Sequence, residues 1–258
     1  MKLGIIGYGN MAKAILSGIL GKNVLKREDI IVSAKSRNSI NLAKKDFGVN
    51  ITLDNTLVSK SDIVLLAVEA GVYPLVLNEI KEYLSENTII WSIAASISLN
   101  DISEVIGNNY KVVRSMPNTP SKVGFGVTAV TPNSLLTNEE LDNIIFLISS
   151  FSTVKIIRED LQEKIVPVTG SSPAMVFMFI EAMAEEAISL GFSSDEAYRL
   201  SALSVLGSAK MILETKEHPS VLRDKVCTPG GVTIEMVKTL EKEGFKRSVI
   251  KAMEACIK

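Results

Sequence analysis

The sequence predicts an α/β fold in which a doubly wound sheet forms the first domain and helices alone form the second. In the first half of the chain, short apolar segments alternate with helical patterns. Segments such as Ile63–Val68 are apolar throughout, as expected for parallel strands that helices cover on both faces. After about residue 158 only helical patterns remain. We therefore expect one domain at residues 1–158 and another at residues 159–258.

The individual elements follow from apolar periodicity and from the turn residues between apolar segments. Helices are predicted between the strands of the first domain, for example at Tyr73–Leu84 and Asn138–Ser149. The predicted strands are Leu3–Ile6, Ile30–Ser33, Asn50–Leu53, Ile63–Val68, Thr88–Ile93, Lys111–Met116, Val127–Thr131 and Val154–Ile157. The helical second domain is interrupted at Pro167, Gly170, Gly191, His218-Pro219 and Pro229–Gly231.

A glycine-rich turn connects the first strand to the first helix. It reads Gly7-x-Gly9-x-x-Ala12, between the strand Leu3–Ile6 and the helical pattern Lys13–Leu20. This is the fingerprint of a Rossmann-type domain: the first glycine permits the tight turn, and the second lets the backbone approach a pyrophosphate. The third position must be small so that helix and strand can pack closely. The first domain is therefore predicted to bind a dinucleotide.

The end of the second strand favours NADPH as that dinucleotide. NAD-dependent enzymes tend to place a carboxylate there, against the ribose hydroxyls, whereas a 2′-phosphate is bound by basic and hydroxyl groups. This chain has Ser33, Lys35, Ser36 and Arg37 at that point and no carboxylate among them. The alternative is a solvated polar loop, and use of NADH stays open.

The composition indicates a soluble enzyme without macromolecular polyanion partners. The 28 basic residues nearly balance the 29 acidic ones, and no basic patch suggests nucleic-acid binding. The apolar runs are shorter than the ~18–20 residues of a membrane span, so no membrane partner is expected. Cys227 and Cys256 have neither C-x-x-C spacing nor a neighbouring histidine, which argues against disulfides and a metal site. A cytoplasmic location is therefore predicted.

No acid–base constellation of the usual kind is visible in the chain. The only histidine, His218, precedes Pro219 and is expected to cap a helix or to lie in a loop. Cys227 has no basic partner nearby in sequence, so we interpret it as a packed thiol rather than a nucleophile. Catalysis by a Ser-His-Asp or Cys-His arrangement is therefore not expected.

The segment Cys227–Thr233 combines a proline and two glycines directly ahead of a helical run. Proline fixes one φ angle and glycines adopt conformations closed to other residues, so several N–H groups of such a turn can point the same way. The first N–H groups of the helix lack partners and carry partial positive charge. The turn thus predicts a pocket for a small anion such as a carboxylate. The alternative is an ordinary helix start with a threonine cap.

One predicted helix of the second domain is apolar on every side. Pro173–Ile180 contains no charged residue, and Glu181, Glu185 and Glu186 follow it. Because a helix that is apolar all round must be covered on all sides, packing against a second subunit is predicted. The alternative is a central helix inside a monomeric bundle.

Five further segments of the chain are distinctive when taken together: Arg114–Pro120, Thr169–Ala174, Phe177–Ala184, Gly207–Met211 and Asp224–Thr233. In these segments the chain resembles the pyrroline-5-carboxylate reductases, the last enzymes of proline synthesis, and the resemblance extends over essentially the whole chain. It implies a Rossmann domain, an all-helical second domain that interlocks as a homodimer, and in many cases a decamer of five dimers.

The resemblance also implies a role for individual residues. The cofactor pyrophosphate lies along the glycine-rich turn, the 2′-phosphate at Ser33 and the basic loop, and the nicotinamide half between two segments that follow strands. The cofactor residues are Ile6, Gly7, Tyr8, Gly9, Asn10, Met11, Ser33, Lys35, Ser36, Arg37, Asn55, Ala67, Val68, Glu69, Ala70, Ile93, Ala94, Ala95, Met116 and Asn118. The substrate carboxylate is held by Thr228, Pro229, Gly230, Gly231, Val232 and Thr233, and the Thr233 hydroxyl faces the ring nitrogen as the catalytic group.

The implied reaction is reduction of the cyclic imine L-1-pyrroline-5-carboxylate to L-proline by hydride from NADPH. Such a reaction depends on aligning two bound molecules more than on acid–base side chains. The chain departs from the family at Val68-Glu69-Ala70, where the family usually has Val-Lys-Pro. This departure keeps a second hypothesis open: a catalytically silent relative that binds the dinucleotide and acts as a sensor or partner protein.

Overall fold

The computed structural model describes residues 1–257, and their contacts form two compact units. The first unit is Met1–Gly170, and the second begins at Ser171. All strands of the described chain lie in the first unit, while the second contains only helices and the turns between them. The predicted order of an α/β domain and a helical domain is therefore confirmed.

A single sheet of eight strands forms the centre of the first unit, in the order β3-β2-β1-β4-β5-β6-β7-β8. All eight predicted strands are present, with small differences at their ends. The strands are β1 Leu3–Ile6, β2 Ile30–Ser33, β3 Asn50–Thr52, β4 Ile63–Leu66, β5 Ile89–Ser92, β6 Lys111–Met116, β7 Gly126–Pro132 and β8 Ser152–Ile156.

The sheet is parallel from β3 to β6, but β7 runs antiparallel to β6. The residues between β6 and β7 include only the short 3-10 helix Thr119–Val123. A parallel connection needs a crossover of a dozen or more residues, so this short link forces the chain to turn back. The prediction of a doubly wound parallel sheet thus holds for six strands and not for the β6–β7 pair.

Six α-helices accompany the sheet, and apolar clusters lie on both of its faces. One cluster is centred on Ile5, Leu16 and Trp91, and the other on Val64 and Leu77. This two-sided burial explains why the parallel strands are apolar at consecutive positions. The helices are α1 Asn10–Gly21, α2 Arg37–Phe47, α3 Asn55–Val58, α4 Tyr73–Ile80, α5 Leu99–Ile106 and α6 Asn138–Ile148.

The strand order reverses direction between β1 and β4. From β1 the chain proceeds to β2 and β3 on one side, and later to β4, β5 and β6 on the other. Ile6 pairs with Ser33 of β2 and with Leu66 of β4, so the carboxyl ends of these three strands lie side by side. In open α/β sheets the crevice at such a reversal is the place where ligands bind.

The second unit consists of five helices, one of which begins as predicted. His218 is the N-cap of α9, and its Nδ1 accepts a hydrogen bond from the Ser220 N–H at 3.2 Å. The prediction of a capping histidine is therefore confirmed. The helices are α7 Ser172–Ser189, α8 Ser194–Thr215, α9 Pro219–Val226, α10 Val232–Lys242 and α11 Phe245–Glu254.

The division into units falls at residues 170 and 171, later than the domain boundary expected at 158 and 159. Residues 159–170 belong to the first unit and are joined to the rest of it by specific hydrogen bonds. Glu159 accepts from the Leu99 N–H, the Gln162 amide donates to Thr131, and the Thr169 carbonyl accepts from Asn118. The helical segment therefore starts on the surface of the sheet domain before the chain enters the second unit.

Within residues 1–257, one helix is long and apolar enough to cross a membrane by length and composition alone. A π-helical turn at Val166–Gly170 continues into α7, giving a helix from Val166 to Ser189 with hydropathy 1.3. The sequence analysis missed this length because Pro167 and Gly170 look like breaks. Only 11% of its apolar 18-residue stretch is buried within this chain. Such low burial is also expected of a helix that a second subunit covers.

Candidate active site

The glycine-rich turn has the geometry that a dinucleotide requires. Gly7 has φ +104°, and a Cβ on it would lie 2.4 Å from the Ala67 carbonyl oxygen, so only glycine fits. Gly9 caps α1, and a Cβ on it would meet no atom within 4 Å. Ala12 is fully buried, as close packing of α1 demands. Open space therefore lies before the unpaired N–H groups of a helix start, and the residues present fit a pyrophosphate.

Tyr8, the residue between the two glycines, connects the turn to α2. Its hydroxyl donates to the Asp46 carboxylate at 2.9 Å, and its ring packs edge-on against Phe47. The Lys13 ammonium lies 5.0 Å from the ring centroid. Burial raises the pKa of the Tyr8 hydroxyl, and the hydrogen bond to Asp46 raises it further. The hydroxyl therefore stays protonated and acts as a donor. The side chain of Tyr8 thus connects the glycine-rich turn to the end of α2.

Ser33, predicted to bind the 2′-phosphate, is fully buried at the end of β2. Its hydroxyl donates to Asn55 Oδ1 at 2.6 Å, and the Asn55 amide donates to the Glu79 carboxylate at 2.8 Å. Ser33 is thus hydrogen-bonded to Asn55, and Asn55 is in turn hydrogen-bonded to α4. Sequence reasoning missed Glu79, because nothing local to residue 79 indicates a partner at residue 55.

The exposed cationic groups of this region lie just beyond Ser33, at the start of α2. Lys35 and Arg37 are exposed. The Ser36 hydroxyl caps α2 by accepting from the Ser39 N–H at 3.1 Å. Two cations next to the positive end of a helix form a favourable environment for a dianionic phosphate.

The two predicted nicotinamide segments, residues 67–70 and 93–95, follow the adjacent strands β4 and β5. Leu66 and Ser92, the last residues of these strands, are paired with each other. The segment after β4 continues into a single 3-10 turn, Ala70–Val72, with Glu69 exposed at its start. The side chain of Glu69 therefore points a negative charge into solvent near the expected cofactor.

Tyr73, at the start of α4, contacts the ends of both strands. Its hydroxyl donates to the Leu66 carbonyl at 2.8 Å and accepts from the Ser92 hydroxyl at 3.1 Å and the Ile93 N–H at 3.3 Å. Burial raises the pKa of Tyr73, so the hydroxyl stays protonated. Sequence reasoning assigned Tyr73 only to a helix.

Arg114 lies in the middle of β6 and is only 3% exposed. Its Nη1 lies 3.3 Å from Glu159 Oε1, and its Nη2 donates to the Ala95 carbonyl. Glu159 Oε1 also accepts from the Leu99 N–H at 2.6 Å. The buried guanidinium thus holds segment 93–95 through the Ala95 carbonyl, from the neighbouring strand β6. Arg114 was recognised in a motif, but its role was not.

Met116 and Asn118, expected near the nicotinamide, are both buried. The Asn118 amide donates to the Thr169 carbonyl at 2.9 Å, and its Oδ1 accepts from the Val127 N–H at 2.9 Å. Asn118 therefore uses both ends of its amide to connect the loop after β6 with β7 and the last residues of the first unit.

The predicted substrate turn lies in the second unit, between α9 and α10. Gly230 has φ +73°, and the Gly231 N–H donates to the Thr228 carbonyl at 3.0 Å. The Gly231 N–H is therefore used inside the turn, and the free amides are those at the start of α10. Thr233 occupies the first turn of that helix and is half-buried. The helix start therefore has no side-chain cap and follows a proline and two glycines, as an anion pocket of the predicted kind requires.

Residues 1–257 contain no cluster of three or more His, Cys, Asp or Glu side chains that could hold a metal ion. Cys227 and Cys256 are free thiols. Cys227 caps the end of α9, where its N–H donates to the Arg223 and Asp224 carbonyls.

A Rossmann-type sheet with an open cradle at the start of α1, followed by a helical unit, defines a dinucleotide-dependent oxidoreductase. Residues 2–96 match a family model described as NADP oxidoreductase, coenzyme F420-dependent. Residues 159–258 match the model for pyrroline-5-carboxylate reductase dimerisation. The chain belongs to the pyrroline-5-carboxylate reductase family.

Relatives support this assignment over the full length. The chain is 42% identical to the pyrroline-5-carboxylate reductase of Escherichia coli, covering 99% of this chain and 96% of that one. The structure of the Coxiella burnetii pyrroline-5-carboxylate reductase is 32% identical, with TM-score 0.90 and coverage of 99% and 96%. The Plasmodium falciparum pyrroline carboxylate reductase with NADP bound is 28% identical, with TM-score 0.90 and coverage of 100% and 95%. The predicted family, fold class and oxidoreductase class are confirmed.

Proposed function

We propose that this protein reduces L-1-pyrroline-5-carboxylate to L-proline with NADPH, the final step of proline biosynthesis. The observation that carries the proposal is identity of 42% to the Escherichia coli reductase over 99% of the chain. The two sites that the reaction needs are also present: a cradle for a dinucleotide and a turn for a carboxylate.

In this account the first unit binds the cofactor along the carboxyl edge of its sheet. The N–H groups at the start of α1 bind the pyrophosphate across Gly9, and Lys35 and Arg37 bind the 2′-phosphate. NADPH is favoured over NADH because two exposed cations and no carboxylate stand at the start of α2. When bound, the reduced nicotinamide supplies the hydride.

Segments 67–70 and 93–95 align the nicotinamide through their backbones. Arg114 and Tyr73 hold these backbones at fixed positions. Alignment of the two reactants supplies most of the rate acceleration in such a reaction, since no covalent intermediate or strong base is required.

The second unit binds the substrate carboxylate at the start of α10. The unpaired N–H groups of Val232 and Thr233 and the partial positive charge of the helix favour a small anion there. The Thr233 hydroxyl orients the ring nitrogen, which must gain a proton during the reduction. Thr233 is therefore the one catalytic side chain that we assign.

The functional assembly is at least a homodimer, formed through the second unit. Met178 is 69% exposed in the apolar helix α7, and Phe177 and Phe179 beside it are also exposed. An apolar surface of this kind on a soluble protein marks an interface. The family resemblance supports a decamer of five dimers, and the two free cysteines support a reducing, cytoplasmic location. Nucleic-acid and membrane partners are not part of the proposal.

The experiment is turnover by the purified protein with pyrroline-5-carboxylate and NADPH. We expect consumption of NADPH that depends on the imine and equals the proline formed. Measurable binding of NADPH with no turnover would contradict the proposal and favour a dinucleotide-binding sensor instead.

A further inference from the structure

The hydroxyl of Tyr73 lies where two parallel strands end. Tyr73 is 1% exposed, and its hydroxyl makes three hydrogen bonds to groups at the ends of β4 and β5. It donates to the Leu66 carbonyl and accepts from the Ser92 hydroxyl and the Ile93 N–H. The side chain thereby continues the pairing of β4 and β5 beyond their last ladder pair, Leu66 and Ser92.

The backbone that this hydroxyl holds leads directly into both nicotinamide segments. Leu66 precedes residues 67–70, and Ile93 is the first residue of segment 93–95. The Ser92 hydroxyl also accepts from the Ala94 N–H at 3.4 Å, so the network extends one residue further. One phenol hydroxyl therefore bridges two segments that no ladder bond connects beyond Ser92.

We propose that Tyr73 is a positioning residue for hydride transfer, which sets the separation of residues 67–70 and 93–95 for the nicotinamide half of the cofactor. The inference rests on the proposed function and adds a residue to it. Tyr73 acts through the backbones of these segments rather than through a contact with the reacting atoms.

The segment after β4 contains no proline and continues into Ala70 and Gly71, so its own sequence does little to stiffen it. Its position therefore depends on contacts such as those of the Tyr73 hydroxyl. A shift of residues 67–70 would displace the backbone expected to face the nicotinamide half of the cofactor.

The aromatic ring itself is anchored independently of the hydroxyl. It belongs to a buried cluster with Val76, Leu77 and Ile102. Tyr73→Phe therefore removes the three hydrogen bonds and leaves the packing in place. The matched control is Tyr110→Phe, because Tyr110 packs against the same cluster and its hydroxyl donates to the Lys81 carbonyl at 3.5 Å, away from both segments.

The first measurement is amide hydrogen exchange in the cofactor-free protein, which does not depend on activity. We expect faster exchange at Ile93 and Ala94 in Tyr73→Phe, because the Ile93 N–H loses its acceptor and segment 93–95 opens more often. Exchange in the β1–β2 pair should be unchanged. Tyr110→Phe should match the wild type throughout.

The second measurement separates the nicotinamide half of the cofactor from the adenosine half. Tyr73→Phe should lower kcat by roughly tenfold or more, since small misplacements of reacting groups are costly. It should weaken NADPH binding severalfold and leave the affinity for 2′,5′-ADP, which lacks the nicotinamide, unchanged. Ser92→Ala should act in the same direction, and the double variant should be no worse than Tyr73→Phe alone.

Wild-type exchange and kcat in Tyr73→Phe would overturn the proposal. An equal loss of NADPH and 2′,5′-ADP affinity would also overturn it, because that result indicates a general loss of structure. Failure of the proposed function is recognised separately, by absence of turnover in the wild-type protein. In that case the exchange and binding comparisons still decide the role of Tyr73.

Discussion

Arg114 on β6 and Glu159, just after β8, form an ion pair with 3.3 Å between Nη1 and Oε1. The pair connects segment 93–95 and the start of α5 to the residues that follow β8. Arg114 also donates to the Ala95 carbonyl, and Glu159 accepts from the Leu99 N–H. Arg114 is almost fully buried, so hydrogen bonds to these partners replace the water that would otherwise solvate its guanidinium.

Glu159→Ala should therefore destabilise the protein by about 1–3 kcal/mol, the cost of leaving buried donors without an acceptor. The loss is measured as a lower urea midpoint with an unchanged slope. Glu163→Ala, at an exposed glutamate four positions further on, is the control and should unfold like the wild type. Equal midpoints for the two variants would show that the ion pair contributes nothing to the fold.

Arg37→Asp should change the choice of cofactor. It removes a cation at the start of α2 and places a carboxylate where the 2′-phosphate is expected. A hydrogen bond to a charged group contributes about 1.5–3 kcal/mol, so we expect roughly a tenfold to hundredfold rise in the Kd of NADPH and little change for NADH.

The control for this variant is Lys44→Asp, the same charge reversal at the exposed far end of the same helix. It should leave the ratio of the two dissociation constants unchanged. A similar loss of NADPH and NADH affinity in Arg37→Asp would mean that another segment determines cofactor specificity.

The strands and the glycine-rich turn were predictable from the sequence, because both depend on residues that are close together along the chain. The spacing of apolar residues predicted all eight strands, and the positive φ of Gly7 is the conformation that the first glycine of the fingerprint requires. The direction of β7 was missed, although the shortness of the link after Met116 contained that information.

The contacts that organise the candidate site were not predictable from local pattern. Tyr73 and Ser92 are 19 positions apart, and Arg114 and Glu159 are 45 apart. Such pairs depend on how strand ends align in the sheet, which local patterns in the sequence do not indicate. The hydrogen bond from Ser33 to Asn55, 22 positions away, illustrates the same limit.

Assembly is tested by Phe179→Glu. A charge in an apolar interface should give monomer or aggregate with loss of activity, measured by light scattering after size-exclusion chromatography. Phe179 also contacts Phe245 within its own unit, with ring centroids 6.1 Å apart. The Met178 side chain is 69% exposed, so Met178→Glu should disrupt the interface without disturbing the packing inside the unit.

Leu75→Glu is the control for assembly, since Leu75 is 72% exposed on α4 of the first unit. It should leave the mass in solution unchanged. A well-folded, active monomer of Met178→Glu would refute the homodimer.

The departure at Glu69-Ala70 is tested by restoring Lys at position 69 and Pro at position 70. Ala70 begins a 3-10 turn and Glu69 has ψ 146°, a backbone that accepts proline at the next position. The double change should tighten NADPH binding severalfold, through a nearby cation and a stiffer turn.

The measurement is titration of NADPH, with Glu82→Lys as a charge control at another exposed glutamate. The control should not change the affinity. Unchanged affinity in the double variant would indicate that residues 67–70 act only through their backbone.

Thr233→Ala should lower kcat about 10²-fold, near the low end for groups that position or transfer a proton. The change in KM should be smaller, because the N–H groups at the start of α10 remain. The loss should grow with rising pH, as less of the imine arrives already protonated. Thr239→Ala, on the same helix with its hydroxyl bonded to the Glu235 carbonyl, is the control. Wild-type kcat in Thr233→Ala from neutral to alkaline pH would remove this hydroxyl from the mechanism.

In the proposed reaction, hydride passes from the nicotinamide to the imine carbon of pyrroline-5-carboxylate. This transfer can be followed with NADPH deuterated at C4 of the nicotinamide, on the face that the enzyme uses, with analysis of the product by mass spectrometry and NMR. We expect L-proline with one deuterium at C5, the former imine carbon, and one NADPH consumed for each molecule formed. Consumption of NADPH with no labelled proline would rule out this hydride transfer.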